Sequence, residues 1–245
     1  MMQVAGKVAV VTGARQGVGL ALVRALLARG AESVVASDVL PMPNGALRPK
    51  ERERVCWQLC DVTVQSDLDA LAASAAGAQL VFSNAGVNRM QGLLTEGGLA
   101  AARLELEVNY LGALGVIRAL LPELRKRQGH RAIVVTGSAL ADAPILELAT
   151  YCVSKAATGA MADILRAELS PAGIQVLVAK PGAIDTEMIA SLDIPKISPR
   201  EAADEILNAL EAGASEVLVG PEAKERGKAI SVDREGYFRS LGERA

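Results

Sequence analysis

The chain has 245 residues, 51% of them apolar, 22% charged and only 2% aromatic, with a formal net charge of −2. This balance offers no basic stripe for a nucleic-acid partner, and no stretch approaches the roughly eighteen apolar residues of a membrane span. Three cysteines (Cys56, Cys60, Cys152) without framework spacing exclude a disulfide scaffold, and the lone His130 has no companion ligands, so no metal site is expected. A core of Ala, Val, Leu and Ile suits a buried parallel sheet under helices. The expectation is one cytoplasmic domain spanning residues 1–245, with no leader segment.

Residues 7–11 form a short, mostly apolar run that reads as a central strand. It leads into Thr12-Gly13-Ala14-Arg15-Gln16-Gly17-Val18-Gly19, then into helical spacing at Val18, Leu22, Ala25 and Leu26 that Gly30 stops. Strand, glycine turn and helix N-terminus together make a pyrophosphate cradle, because backbone N–H groups and the helix dipole face the anion. Gly13, Arg15, Gln16, Gly17, Val18 and Gly19 are its expected contacts. The second strand, 34–37, ends in Asp38, about twenty residues beyond the turn, where a ribose-binding acid belongs. A carboxylate there accepts from both adenosine ribose hydroxyls and repels a 2′-phosphate by on the order of 4 kcal/mol at about 4 Å. That favours NAD. Arg15 is the counterweight, since a guanidinium in the glycine loop pairs well with the 2′-phosphate of NADP.

Pro41, Pro43, Asn44-Gly45 and Pro49, followed by the mixed-charge run 50–54, predict a mobile loop in place of a crossover helix. A third strand at 55–59 leads to Asp61-Val62, where Asp61 either accepts from an adenine amino group or caps the next helix. A fourth, 80–82, runs into Ser83-Asn84-Ala85-Gly86, small enough for close backbone approach to a cofactor. A helix from about 99 to 127, kinked near Pro122, carries Asn109. Its amide must be bonded there, either as a clamp or in a proton relay. The fifth strand, 132–136, ends at Gly137-Ser138, and Tyr151 opens a helix running to Ser170. Tyr151 and Lys155 share a face of that helix, about 5–6 Å apart at Cβ. A nearby ammonium lowers a phenol's pKa from about 10 and makes it a usable proton acceptor. Taken alone, such a pair is a common accident of helical spacing. The sixth strand, 174–179, is followed by the turn 180–186.

The ordered set Thr12-Gly-x-x-x-Gly17-x-Gly19, Asn84-Ala85-Gly86, Asn109, Ser138, Tyr151-x-x-x-Lys155 and Pro181-Gly182 resembles the short-chain dehydrogenase/reductase family over about residues 5–187. The resemblance implies a doubly wound α/β (Rossmann) fold with a mostly parallel seven-stranded sheet. It implies hydride transfer between NAD(H) and a secondary alcohol or ketone, with catalytic Asn109, Ser138, Tyr151 and Lys155. Cofactor contacts would extend to Asp61, Val62, Asn84, Ala85, Gly86, Pro181, Gly182, Ile184 and Thr186. Three residues between Gly13 and Gly17 match the short reductase form rather than the epimerase-like one. A homodimer or homotetramer packed on the Tyr151 helix is also implied.

Only eleven residues, 187–197, separate Thr186 from the capping box Ser198-Pro199-Arg200-Glu201, so any lid is short. A helix to about Gly213 and a last strand at 216–220 follow, then a charged tail at 221–245 that reads as a flexible end. Leu140, Ile145, Leu148, Met188 and Ile189 would line an apolar substrate pocket. An NADP-preferring carbonyl reductase is the nearest alternative; a non-catalytic dinucleotide sensor or a scaffold are others, against which the intact tetrad speaks.

Overall fold

The computed structural model describes residues 3–243. Seven strands, β1 (Val8–Thr12), β2 (Ser33–Asp38), β3 (Val55–Leu59), β4 (Ala78–Ser83), β5 (Arg131–Thr136), β6 (Ile174–Pro181) and β7 (Glu216–Val219), form one sheet in the order β3-β2-β1-β4-β5-β6-β7. Every pairing is parallel. The five inner strands are largely buried because both faces are covered, while the edge strands β3 and β7 are partly exposed. Successive side chains point to opposite faces. Ala9 and Val11 enter one core with Leu22 and Leu26 of α1 (Gly17–Ala28) and Ile206 and Leu210 of α7 (Pro199–Glu211). Val10 enters the other, with Leu71 of α3 (Gln65–Ser74), Ile117 and Leu120 of α5 (Ala113–Lys126), and Leu165 of α6 (Ala149–Leu169). Strand order reverses between β1 and β4, and the crevice at a reversal of this kind is where doubly wound sheets hold ligands.

Two expectations change and a third is sharpened. The proline-rich crossover is irregular over 39–48, the loop expected, but it is pinned to the body. Leu47 is buried in the core beside α1, and Arg24 of α1 donates to the Ala46 carbonyl at 2.5 Å. The short helix α2 (Pro49–Arg52) starts where Arg48 binds Glu51 through backbone and side chain, at 2.8 and 2.6 Å. The prolines forbid a long helix, but one turn with Pro at its first position suits them.

The long central helix is interrupted at Glu107–Gly112, a π-helical turn between α4 (Gly98–Leu106) and α5, while Pro122 lies inside a continuous α5. The turn brings Gly112 so close to Val62 that a Cβ there would lie 2.6 Å from its Cγ2.

The tail carries two helices, α8 (Pro221–Val232) and α9 (Arg234–Gly242). Asp233 caps α9 by accepting from Gly236 N at 2.8 Å. Tyr237 fastens the pair to the body, its hydroxyl donating towards the Pro144 and Ala143 carbonyls at 2.9 and 3.1 Å. The capping box of α7 forms as read, with Ser198 Oγ accepting from Glu201 N and Glu201 Oε2 accepting from Ser198 N.

Candidate active site

A cleft of about 370 Å³ opens along the C-terminal ends of the strands. Its floor begins at the glycine turn. Gly13 has φ +64, and a Cβ on Gly19 would lie 2.0 Å from the Gly13 carbonyl oxygen. Only glycine allows the chain to fold back on itself that tightly. The result is a bare backbone floor leading to the N-terminus of α1, the geometry of a diphosphate cradle. Thr12 and Asn84 hold the turn from behind. Thr12 Oγ1 accepts from Asn84 N at 3.0 Å and Ala85 N at 3.1 Å, while Asn84 Nδ2 donates to the Thr12 carbonyl at 3.1 Å.

Asp38 faces the same cleft from the end of β2. Its Oδ2 accepts from Arg15 N at 3.2 Å and its Oδ1 from Leu40 N at 3.4 Å. Arg15 turns Nη1 to Gln16 at 2.9 Å, and its buried Nε has no hydrogen-bond partner among the described residues.

At the other end stand Ser138, Tyr151 and Lys155, all on the cleft wall. Ser138 follows β5 and is 5% exposed; its Oγ accepts from Leu140 N at 3.1 Å. Lys155, 3% exposed, donates to the Thr136 carbonyl at 2.8 Å and lies 5.6 Å from the Tyr151 ring centroid. Burial raises the Tyr151 phenol above its ordinary 10, and the Ser138 hydroxyl offsets part of that rise. Burial alone lowers Lys155 to about 8. The lowered phenol expected from the Tyr–Lys spacing is therefore not found. The ammonium is committed to a carbonyl, and desolvation is the larger effect.

Asn109 is 1% exposed and fully engaged in the π turn. Its Oδ1 accepts from Val87 N at 2.8 Å, and its Nδ2 donates to the Val87 carbonyl and to Ser154 Oγ, both at 2.9 Å. Ser154 donates in turn to the Tyr151 carbonyl at 2.8 Å. Asn109 thus clamps the chain beyond β4 to the helix carrying Tyr151 and Lys155, and it does not line the cleft.

Gly86, Pro181, Gly182, Ile184 and Thr186 line the cleft, as do Leu140, Ile145, Leu148, Met188 and Ile189. Asp61, Val62 and Ala85 do not. Asp61 is turned onto its own loop, accepting from Thr63 N and Oγ1 at 2.9 and 2.7 Å, and α3 begins after Val64, so Asp61 is no helix cap either. Val62 is spent against Gly112, and Ala85 packs its Cα against Gly13. The segment 187–197 is a loop closed at its base, where Ile197 N donates to the Ala183 carbonyl and Asp185 N to the Ile197 carbonyl. Reasoning from sequence missed Leu40, Asn88, Leu192 and Ile194, and above all Glu222 and Arg226 of α8. A charged tail gives no local signal that it returns to a cleft. No cluster able to hold a metal ion occurs among the described residues, and no described helix is long and apolar enough to cross a membrane.

The sequence profile described as short chain dehydrogenase matches residues 7–196. An uncharacterized oxidoreductase of Staphylococcus haemolyticus is 31% identical over 232 residues, covering 90% of this chain and 100% of that protein. A short chain dehydrogenase of Burkholderia cenocepacia, solved in complex with NADP, has a TM-score of 0.89 at 40% identity, covering 98% of this chain and 99% of the other. A short chain dehydrogenase/reductase of Burkholderia phymatum, solved in complex with NAD, shares the fold with a TM-score of 0.80 at 23% identity, over 95% and 92% of the two chains. Profile, fold and relatives agree: the chain belongs to the short-chain dehydrogenase/reductase family of oxidoreductases.

Proposed function

We propose that the protein interconverts a secondary alcohol and a ketone with NAD(H). The observation carrying this reading is the meeting of Ser138, Tyr151 and Lys155 in one cleft with the glycine turn and Asp38. A Cβ at Gly13 or Gly19 would collide with the backbone of Ala85 or of Gly13 itself, so the turn keeps the tight form that fits a dinucleotide diphosphate. Bound there, the nicotinamide would supply the hydride acceptor or donor.

The chain's own groups supply the rest. Ser138 Oγ holds the reacting oxygen, and Tyr151 Oη takes its proton in oxidation or returns it in reduction. Lys155 contributes positive charge beside the phenol and donors for a ribose. Asn109 positions the helix that carries both. Asp38 accepts from the adenosine ribose hydroxyls, which is the ground for preferring NAD.

A second reading, NADP, is favoured by the unpartnered Arg15 Nε and by the 40% identical relative solved with NADP. Fluorescence titration with NADH and NADPH separates the two, and tighter NADPH binding refutes the Asp38 argument. Turnover is tested by Tyr151→Phe on an identified alcohol. It should lose about 10²–10⁴-fold in kcat with NADH binding retained, and near-normal turnover rejects the assignment.

A further inference from the structure

The C-terminal helix α8 brings one cation to the wall of the cleft, and its placement bears on the substrate. The same cleft is lined by Leu140, Ile145, Leu148, Met188, Leu192 and Ile194. Arg226 also lines it, with its side chain 29% exposed. A guanidinium keeps its charge at any working pH and presents five donors in a planar fork. Here Nε is committed to Glu222 Oε1, and Nη1 donates to Tyr237 Oη at 3.3 Å. Nη2 has no hydrogen-bond partner among the described residues.

Both supports of Arg226 are themselves fixed. Tyr237 is tied to the Pro144 carbonyl, one residue before Ile145 of the cleft wall. Glu222 Oε2 accepts from Ala183 N at 3.1 Å, and a Cβ on Gly182 would lie 2.2 Å from that oxygen. The guanidinium is therefore held between the 143–145 loop and the 181–183 turn. Nε is neutralised by Glu222 and Nη1 is engaged by Tyr237, so Nη2 is the nitrogen left for a ligand. A neutral, wholly apolar substrate would leave those donors against hydrocarbon, an arrangement that costs free energy.

We propose that Arg226 is a specificity-determining residue that binds a carboxylate on the substrate, making the preferred substrate a hydroxy acid or oxo acid with an apolar carbon skeleton. This rests on the alcohol/ketone reading above and narrows it. A charge-assisted hydrogen bond from Nη2 to a carboxylate is shorter and stronger than one to a neutral acceptor. Tyr237 and Glu222 are positioning residues, acting through Arg226.

The test uses the full chain saturated with NADH, or with NADPH if that binds tighter, and three probes of one size: 4-phenylbutanoate, 4-phenylbutanamide and 4-phenylbutylamine. Calorimetric titration should show the carboxylate binding about tenfold or more tighter than the amide. Arg226→Met should reduce that ratio to about twofold or less, while dinucleotide affinity stays unchanged. Arg226→Lys, which keeps charge and bulk, should retain part of the preference. Four results overturn the proposal: equal binding of acid and amide, a preference that survives Arg226→Met, tightest binding of the amine (which would assign the site to Glu222), or no saturable binding of the carboxylate. Failure to bind either dinucleotide would instead reject the parent reading, so the two failures are distinguishable.

Discussion

Asn109→Ala is the substitution on which clamp and relay part company most clearly. The change removes three hydrogen bonds of 2.8–2.9 Å at once, two to the backbone of Val87 and one to Ser154 Oγ. Each buried polar group left without a partner costs about 1–3 kcal/mol. Val87 is half-buried, so water recovers part of the loss, and Ser154 keeps its bond to the Tyr151 carbonyl. The expected destabilisation is about 2–4 kcal/mol. With a urea slope of about 2–3 kcal/mol/M, the unfolding midpoint should fall by about 1 M with the slope unchanged. Asn109→Asp should fare no better, because a carboxylate oxygen would then oppose the Val87 carbonyl. Urea unfolding followed by circular dichroism measures both. A midpoint shift below about 0.3 M, with turnover lost, would show that the bonds carry no stability and would refute the clamp.

Gly19→Ala should weaken dinucleotide binding by more than about tenfold, since its Cβ would collide with the Gly13 carbonyl; titration of NADH fluorescence checks it. Lys155, lowered from 10.5 to about 8, binds fewer protons folded than unfolded between those values. Stability should therefore rise with pH from about 8 towards 10.5, and Lys155→Met should flatten that rise in a denaturation series. Glu123, held near 2 by the Gly77 N–H at 2.9 Å and then by Arg127, stabilises above 4.5 and loses that contribution as pH falls through 2. Glu123→Gln should remove on the order of 1 kcal/mol at neutral pH and flatten the acid limb of the melting curve.

The strands were readable because a parallel sheet covered on both faces writes itself as unbroken apolar runs, such as 132–135 and 176–179. The glycine turn was readable for a related reason: Gly19 has room for no other residue. What escaped depended on contacts between distant residues. Nothing local marks the π turn at Glu107–Gly112, whose residues would suit an ordinary α-helix; only the approach of Gly112 to Val62 and the bonds of Asn109 to Val87 reveal it. Asp61 sits at the end of a strand, and its sequence does not announce that Thr63, two residues on, donates to its Oδ1. The Tyr151–Lys155 spacing gave the neighbours but not the balance between charge and desolvation, which depends on how deeply both are enclosed. α8 and α9 are polar enough to pass for solvated tail; they are attached by the buried Ala223, by Glu222 and Lys224 on α8 and by Tyr237 on α9, contacts with residues distant in sequence.

The strand order has a consequence for how the chain is made. β2 pairs with β1 and β3 with β2, and β4 returns to the free edge of β1; β5, β6 and β7 then extend that same edge one at a time. Every strand therefore meets a neighbour that has already left the ribosome, and the sheet can grow outward from β1 as synthesis proceeds. The cleft is finished out of step with the sheet. Its floor arrives with residue 13, but Glu222 and Arg226 come only after β7, and Tyr237, which fastens their helix, later still. A nascent chain could thus hold its sheet and glycine turn well before it possessed the α8 wall of the cleft.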